Sequence, residues 1–168
     1  MDTKRMVRQL FIWICLVLWG CASQPVATIE SSQPAVSNKK VLLATQNSKF
    51  KQAVVSEIYD ELNQNAIYIK IIDVKGLKNQ TADKFTAVVI INRCMAGRPD
   101  PRVESFIDRE PQKNKIIVLT TGMLDSWTPD APEVDAITSA SVLDKSNQVA
   151  HSILKRVLAM VNSTRPAT

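Results

Sequence analysis

The pattern of apolar and polar positions divides the chain into a first apolar run, a polar stretch, and a body where short apolar runs alternate with helical stripes. Leu10 to Trp19 (LFIWICLVLW) is apolar without interruption. The next such run, Lys40–Thr45 (KVLLAT), is short and has no periodicity, which predicts a strand buried on both faces. Phe50, Val54, Ile58 and Leu62 recur every four residues and predict a helix over Ser48–Leu62, with Asn47 or Ser48 as its cap. Ala66–Val74 (AIYIKIIDV) and Phe85–Asn92 (FTAVVIIN) are β-branched and aromatic, hence strands. Pro101–Arg109 reads as a short helix, with Asp100 as N-cap and Pro101 in the first turn. Lys115–Thr121 and Val134–Thr138 predict two further strands. Val149, Ala150, Ile153, Leu154, Val157, Leu158 and Val161 form the stripe of a closing helix, and Ser141 with Asp144 has the spacing of a capping box that opens it.

Strands alternating with helices, with apolar strand centres, predict an α/β three-layer sandwich around a five-stranded parallel sheet. The domain is expected over residues 39–163, followed by a short tail at 164–168. Ahead of it, Ala22 to Asn38 is rich in Ser, Gln, Pro and Ala and reads as a flexible tether. A first strand in KKVLLAT followed by a helix resembles the flavodoxin-like fold, and the resemblance covers Lys39 to Val161. The segment Asp73 to Ile91 (DVKGLKNQTADKFTAVVII) strengthens it. Flavodoxins commonly end strand two in Asp and continue through a polar connection into an aromatic-x-Ala-Val-Val-Ile third strand, and KIIVLTTG matches the fourth. Response-regulator-like and Rossmann-like domains share the same αβ rhythm.

The amino terminus changes the picture. Lys4, Arg5 and Arg8 against Asp2 form a basic flank before the apolar run, the layout of a secretory signal over residues 1–20. That run falls short of the roughly 20 apolar residues a spanning helix needs; an uncleaved anchor or a buried helix are the alternatives. Leu18-Trp19-Gly20-Cys21 resembles the lipobox of bacterial lipoproteins, with Trp19 where that family prefers a small residue. The resemblance implies a diacylglycerol on the Cys21 sulfur, cleavage just before it, and a lipidated tether over 21–38. The domain would then be held to the lipid bilayer, facing the periplasm or the cell exterior. Ala22 after the cysteine resembles the outer-membrane sorting signal. Acyl chains contribute about 0.8 kcal/mol per buried methylene, so two or three of them anchor stably.

Composition is ordinary for one globular core: 45% apolar and 22% charged residues in 168. The net charge is +5, and loss of residues 1–20, with three bases and one acid, leaves +3. This mild excess suits an anionic membrane surface, and no basic run is interleaved with aromatics, so nucleic acid is not an expected partner. Of the three cysteines, Cys15 leaves with the signal and Cys21 is acylated on this reading. Cys94 then has no disulfide partner, and one Cys with one His is too few for a structural zinc site.

Open parallel sheets bind ligands beyond the carboxyl ends of their strands. The candidate pocket residues there are Thr45, Gln46, Asn47, Ser48, Asn92, Arg93, Cys94, Arg98, Thr121 and Trp127. The flavodoxin phosphate loop relies on glycine to wrap amides around the anion. Here the loop is TQNSKF, with hydroxyls at Thr45 and Ser48 and a cation at Lys49 but no glycine. It is a modified phosphate site or a plain capped turn. Cys94 invites comparison with the Cys-x5-Arg loop of cysteine phosphatases, but Asp100 stands where the Arg should be and Arg98 comes too early. A half-buried strand-end cysteine is the plainer reading. Trp127, in GMLDSWTPDAP, suits stacking on a ligand, contact with a partner, or capping of the core. His151, the single histidine, sits at the edge of the last helical stripe and reads as structural. Finally, Asp135 to Ser141 (DAITSAS) resembles the flavinylation sequon Asp-x-x-(Ser/Thr)-Gly-Ala-Thr, which implies FMN joined through phosphate to Ser141. Ser139 replaces the glycine and Ser141 the threonine. No paired catalytic groups stand out. The sequence reads as a membrane-anchored lipoprotein with a ligand- or protein-binding module of the cell envelope, without an expected cofactor and with an envelope protein as a candidate partner. The alternative is an FMN-dependent electron carrier, with flavin at the first loop or on Ser141.

Overall fold

The structure, a computed structural model, describes residues 24–32, 39–94, 98–122 and 132–163. The signal-like run, Cys21 and Trp127 lie outside these residues. In chain order the elements are β1 (Ile29–Glu30), β2 (Lys40–Thr45), α1 (Lys49–Gln64), β3 (Tyr68–Asp73), β4 (Ala87–Arg93), α2 (Pro101–Arg109), β5 (Ile116–Thr121), β6 (Asp135–Ser139) and α3 (Ser146–Ser163). The sheet runs β1-β3-β2-β4-β5-β6. Its last five strands are parallel in the flavodoxin-like doubly wound order, which reverses direction between β2 and β4.

The unbroken apolar runs have a direct cause. Successive residues of a strand point to opposite faces, and here both faces are covered. Val41, Leu43, Val89, Ile91, Ile117 and Leu119 pack beneath α1 and α3. Leu42, Ala44, Val88, Ile90, Ile116 and Val118 pack beneath α2 and the segment that follows β3. That segment contains no α-helix; it is two 3-10 stretches, Val74–Asn79 and Ala82–Lys84. Their buried side chains Val74, Leu77 and Ala82 cover the sheet in place of a helix.

Several details differ from expectation, among them β4, which starts two residues late at Ala87, and α1, which runs on to Gln64. The five parallel strands gain a sixth, since Ile29–Glu30, inside the stretch read as tether, pairs antiparallel with β3. β3 begins at Tyr68, two residues late, because Ala66 adopts φ 54° and closes α1: its N–H bonds Asn63 O and that of Ile67 bonds Leu62 O, both at 3.1 Å. β6 is displaced one residue, to Asp135–Ser139. The capping box of Ser141 and Asp144 does not form. A 3-10 turn over Leu143–Lys145 enters α3, Val142 precedes it without a side-chain cap, and the helix starts at Ser146. Among the described residues no helix is long and apolar enough to cross a membrane.

Candidate functional site

Where the strand order reverses, the chain leaves β2 and β4 in opposite directions, and their carboxyl ends part to leave a crevice. A pocket of about 660 Å³ occupies it. Its walls are the β2–α1 turn and the first turn of α1 (Gln46 to Lys51), the end of β3 (Asp73 to Lys75), Arg93 of β4, Arg102 of α2, Thr121 of β5, and Ser141 after β6. Five of these side chains are cationic (Lys49, Lys51, Lys75, Arg93, Arg102) and one, Asp73, is a carboxylate.

Gln46 organises the floor. Its Nε2 donates to Asp100 Oδ2 at 2.8 Å. Its Oε1 accepts from the Arg93 backbone N–H at 3.0 Å and from Lys51 Nζ at 3.3 Å. Asp100 caps α2 through Arg102 N (3.0 Å) and is gripped from the side by the Arg102 guanidinium at 2.7 and 2.6 Å. The Arg102 hydrogen bond holds the Asp100 carboxyl below the usual carboxylate range, against the opposing effect of its burial. That carboxylate is therefore shared between Arg102 and Gln46.

Lys51 carries the unusual electrostatics. The residue is 3% exposed. Burial, reinforced by the neighbouring Arg93 guanidinium and opposed by Asp100, pushes its ammonium down to about 8. Among the described residues neither Lys51 nor Arg93 forms an ion pair. Helix polarity works in the same direction. Ser48 is the N-cap of α1, its Oγ accepting from Lys51 N at 3.2 Å, and the first turn holds Lys49 and Lys51 with no acid. A helix amino terminus carries partial positive charge and unfilled amide donors, so cations there are opposed by about 0.3–1 kcal/mol each. A negative ligand offsets all of these costs at once.

The expected site residues divide. Gln46, Asn47, Ser48, Arg93, Thr121 and Ser141 converge on the pocket. Thr45 is buried and lines a second cavity, of about 500 Å³, between α1 and residues 25–29. Asn92 is fully buried beneath the site. It donates to Leu119 O (3.2 Å) and Thr120 Oγ1 (3.1 Å) and accepts from Asp100 N (3.3 Å). Cys94 is half-buried and continues the β4–β5 ladder, its N–H bonding Thr121 O at 2.8 Å. Arg98 is exposed and outside the pocket wall. Sequence reasoning missed Lys51, Lys75, Asp73 and Arg102. One signal for Lys51 was present: it lies four residues before Val55, on the apolar face of α1, where an unpaired lysine is out of place.

The β2–α1 turn is three residues long, has no glycine, and is filled by the bonded Gln46 side chain. Phe50 is the single aromatic residue among the described walls and is itself buried.

The chain is similar in structure to the flavodiiron core Flv1 of Synechocystis sp. PCC6803, with a TM-score of 0.51 and 7% identity over 79% of this chain. It spans 38% of the length of that protein. A flavodoxin from the domain Archaea aligns over 71% of this chain and 99% of its own, with a TM-score of 0.46 and 12% identity. No family model and no curated protein matches the chain. Together with the strand order, the likeness to the flavodiiron core shows a flavodoxin-like fold.

Proposed function

We propose that this chain is an envelope lipoprotein, anchored through Cys21, whose flavodoxin-like domain binds a small phosphate-bearing ligand in the pocket between β2 and β4. One observation carries the ligand reading: a buried ammonium, Lys51, is held beside Arg93 at a helix amino terminus with only the Gln46 amide oxygen and the Asp100 charge to offset it, an environment that favours an anion. The anchor rests on the lipobox resemblance and on the mild basic charge.

Calorimetric titration of the full-length protein with inorganic phosphate tests the reading. Saturable binding is expected, and Lys51→Met should weaken it at least tenfold, equivalent to about 1.4 kcal/mol. A flat titration of the parent protein overturns the proposal. The FMN alternative has one specific observation in its favour, since the β2–α1 turn and Ser141 line the same pocket. A visible flavin band in the purified protein supports that alternative. Colour that survives denaturation and vanishes in Ser141→Ala makes the attachment covalent, and a colourless protein that stays so with added FMN removes it.

A further inference from the structure

The segment read as a tether does not leave the domain freely. Ile29 lies opposite Ile71 and Glu30 opposite Lys70, in antiparallel register with β3. Ser31 clamps the end of this strap: its N–H donates to Ile69 O at 2.9 Å and its Oγ accepts from Ile69 N at 3.0 Å. Glu30 pairs with Lys70 at 2.9 Å. At the other end the Val26 N–H donates to Asp73 Oδ2 at 3.1 Å. Followed toward the amino terminus, the strap therefore runs along β3 to its carboxyl end, and Asp73 there is a wall of the cationic pocket.

Gln24 stands three residues after Cys21. Even fully extended, that stretch and the two residues on to Val26, where the strap bonds Asp73, reach about 17 Å, about twice the roughly 8 Å over which charges act at physiological salt. A lipid on Cys21 thus holds the pocket edge of the sheet, and not its opposite edge, against the bilayer. A second observation points the same way. Ile29, Val142 and Leu143 are the exposed large apolar side chains among the described residues. Val142 and Leu143, 47% and 53% exposed, directly follow Ser141 at the pocket mouth. Apolar side chains beside cations make the surface that settles at a lipid interface.

We propose that the docked strap turns the cationic pocket toward the membrane that holds Cys21, so that the phosphate it receives is the headgroup of an anionic phospholipid. This rests on the pocket reading above and names its ligand.

The test uses the full-length lipidated protein in phosphatidylcholine vesicles, with and without phosphatidylglycerol. A fluorophore is placed at Lys75→Cys, on the pocket wall, or at Asn114→Cys, before β5 at the opposite edge, each with Cys94→Ser. Nitroxide lipids labelled at the headgroup should quench the first several-fold more than the second, and more strongly with phosphatidylglycerol present. A Gly/Ser insertion of about 12 residues after Ala22, reaching roughly 20 Å, should level the two positions in phosphatidylcholine while leaving the inorganic phosphate titration unchanged. Equal quenching in the parent, or deeper quenching at residue 114, overturns the orientation even where inorganic phosphate still binds. A difference that does not grow with phosphatidylglycerol overturns the lipid as ligand. Absence of phosphate binding in every form removes the pocket reading itself.

Discussion

Lys51 is where function and stability oppose each other. An ammonium lowered from its ordinary 10.5 to about 8 costs the folded state on the order of 3 kcal/mol while it stays charged. The unfolded chain holds that proton up to about pH 10.5 and the folded chain only to about 8. Between those values the unfolded state binds more protons, so the contribution of this residue to stability rises with pH across that window. Chemical denaturation of the parent and Lys51→Met at pH 7 and pH 10 should show the substitution stabilising at neutral pH, with the gap narrowing at the higher value. A destabilising Lys51→Met at pH 7 contradicts the account. At this scale the site is half legible in the sequence. Gln46, Asn47, Ser48 and Arg93 follow from the rule that strand ends bind ligands. Lys51 is only hinted at by its place on the apolar face of α1, because a lysine in a first helical turn reads as solvated until the fold buries it. Asn92 lies at the expected edge but serves the scaffold rather than the ligand, since its amide ties β4, β5 and α2 together below the pocket.

Elements whose local signals all agree are the readable ones. KVLLAT and the Pro101–Arg109 helix match their expected bounds for that reason: an unbroken apolar run in the first, an N-cap and a first-turn proline in the second. β1 is hidden, since two residues in a Ser- and Pro-rich stretch have no periodicity, and their strand character comes from the edge of β3. The clamp at Ser31 makes this testable. Ser31→Ala leaves the buried Ile69 N–H without its side-chain acceptor, a loss of about 1–3 kcal/mol. Hydrogen exchange should quicken at Ile69 and along the strap while the amides of β4 and β5 stay protected. Uniform loss of protection across the sheet would show that the strap is not a separate layer of stability. The failed capping box has a related cause. Ser141 lies at the pocket mouth, and a 3-10 turn intervenes before α3, so matching spacing meets the wrong geometry.

For the whole molecule, the doubly wound order is what creates the site. It brings the ends of β2, β3, β4 and β5 to one edge and sets the first turn of α1 beside Arg93 and Arg102. The pocket cations come from separate stretches, with Lys49 and Lys51 in α1, Lys75 after β3, Arg93 ending β4 and Arg102 in α2. Such a set cannot be read as a basic patch along a chain whose net charge is a modest +5. The strap ends at the same edge, where the Val26 N–H bonds Asp73. The central claim is that this pocket is built for an anion, and the side-chain nitrogen of Lys51 reports on it directly. An NMR titration of that nitrogen in the full-length protein, with and without inorganic phosphate, should show the ammonium deprotonating near pH 8 alone and clearly higher with phosphate present. A titration curve that phosphate leaves in place would contradict the account.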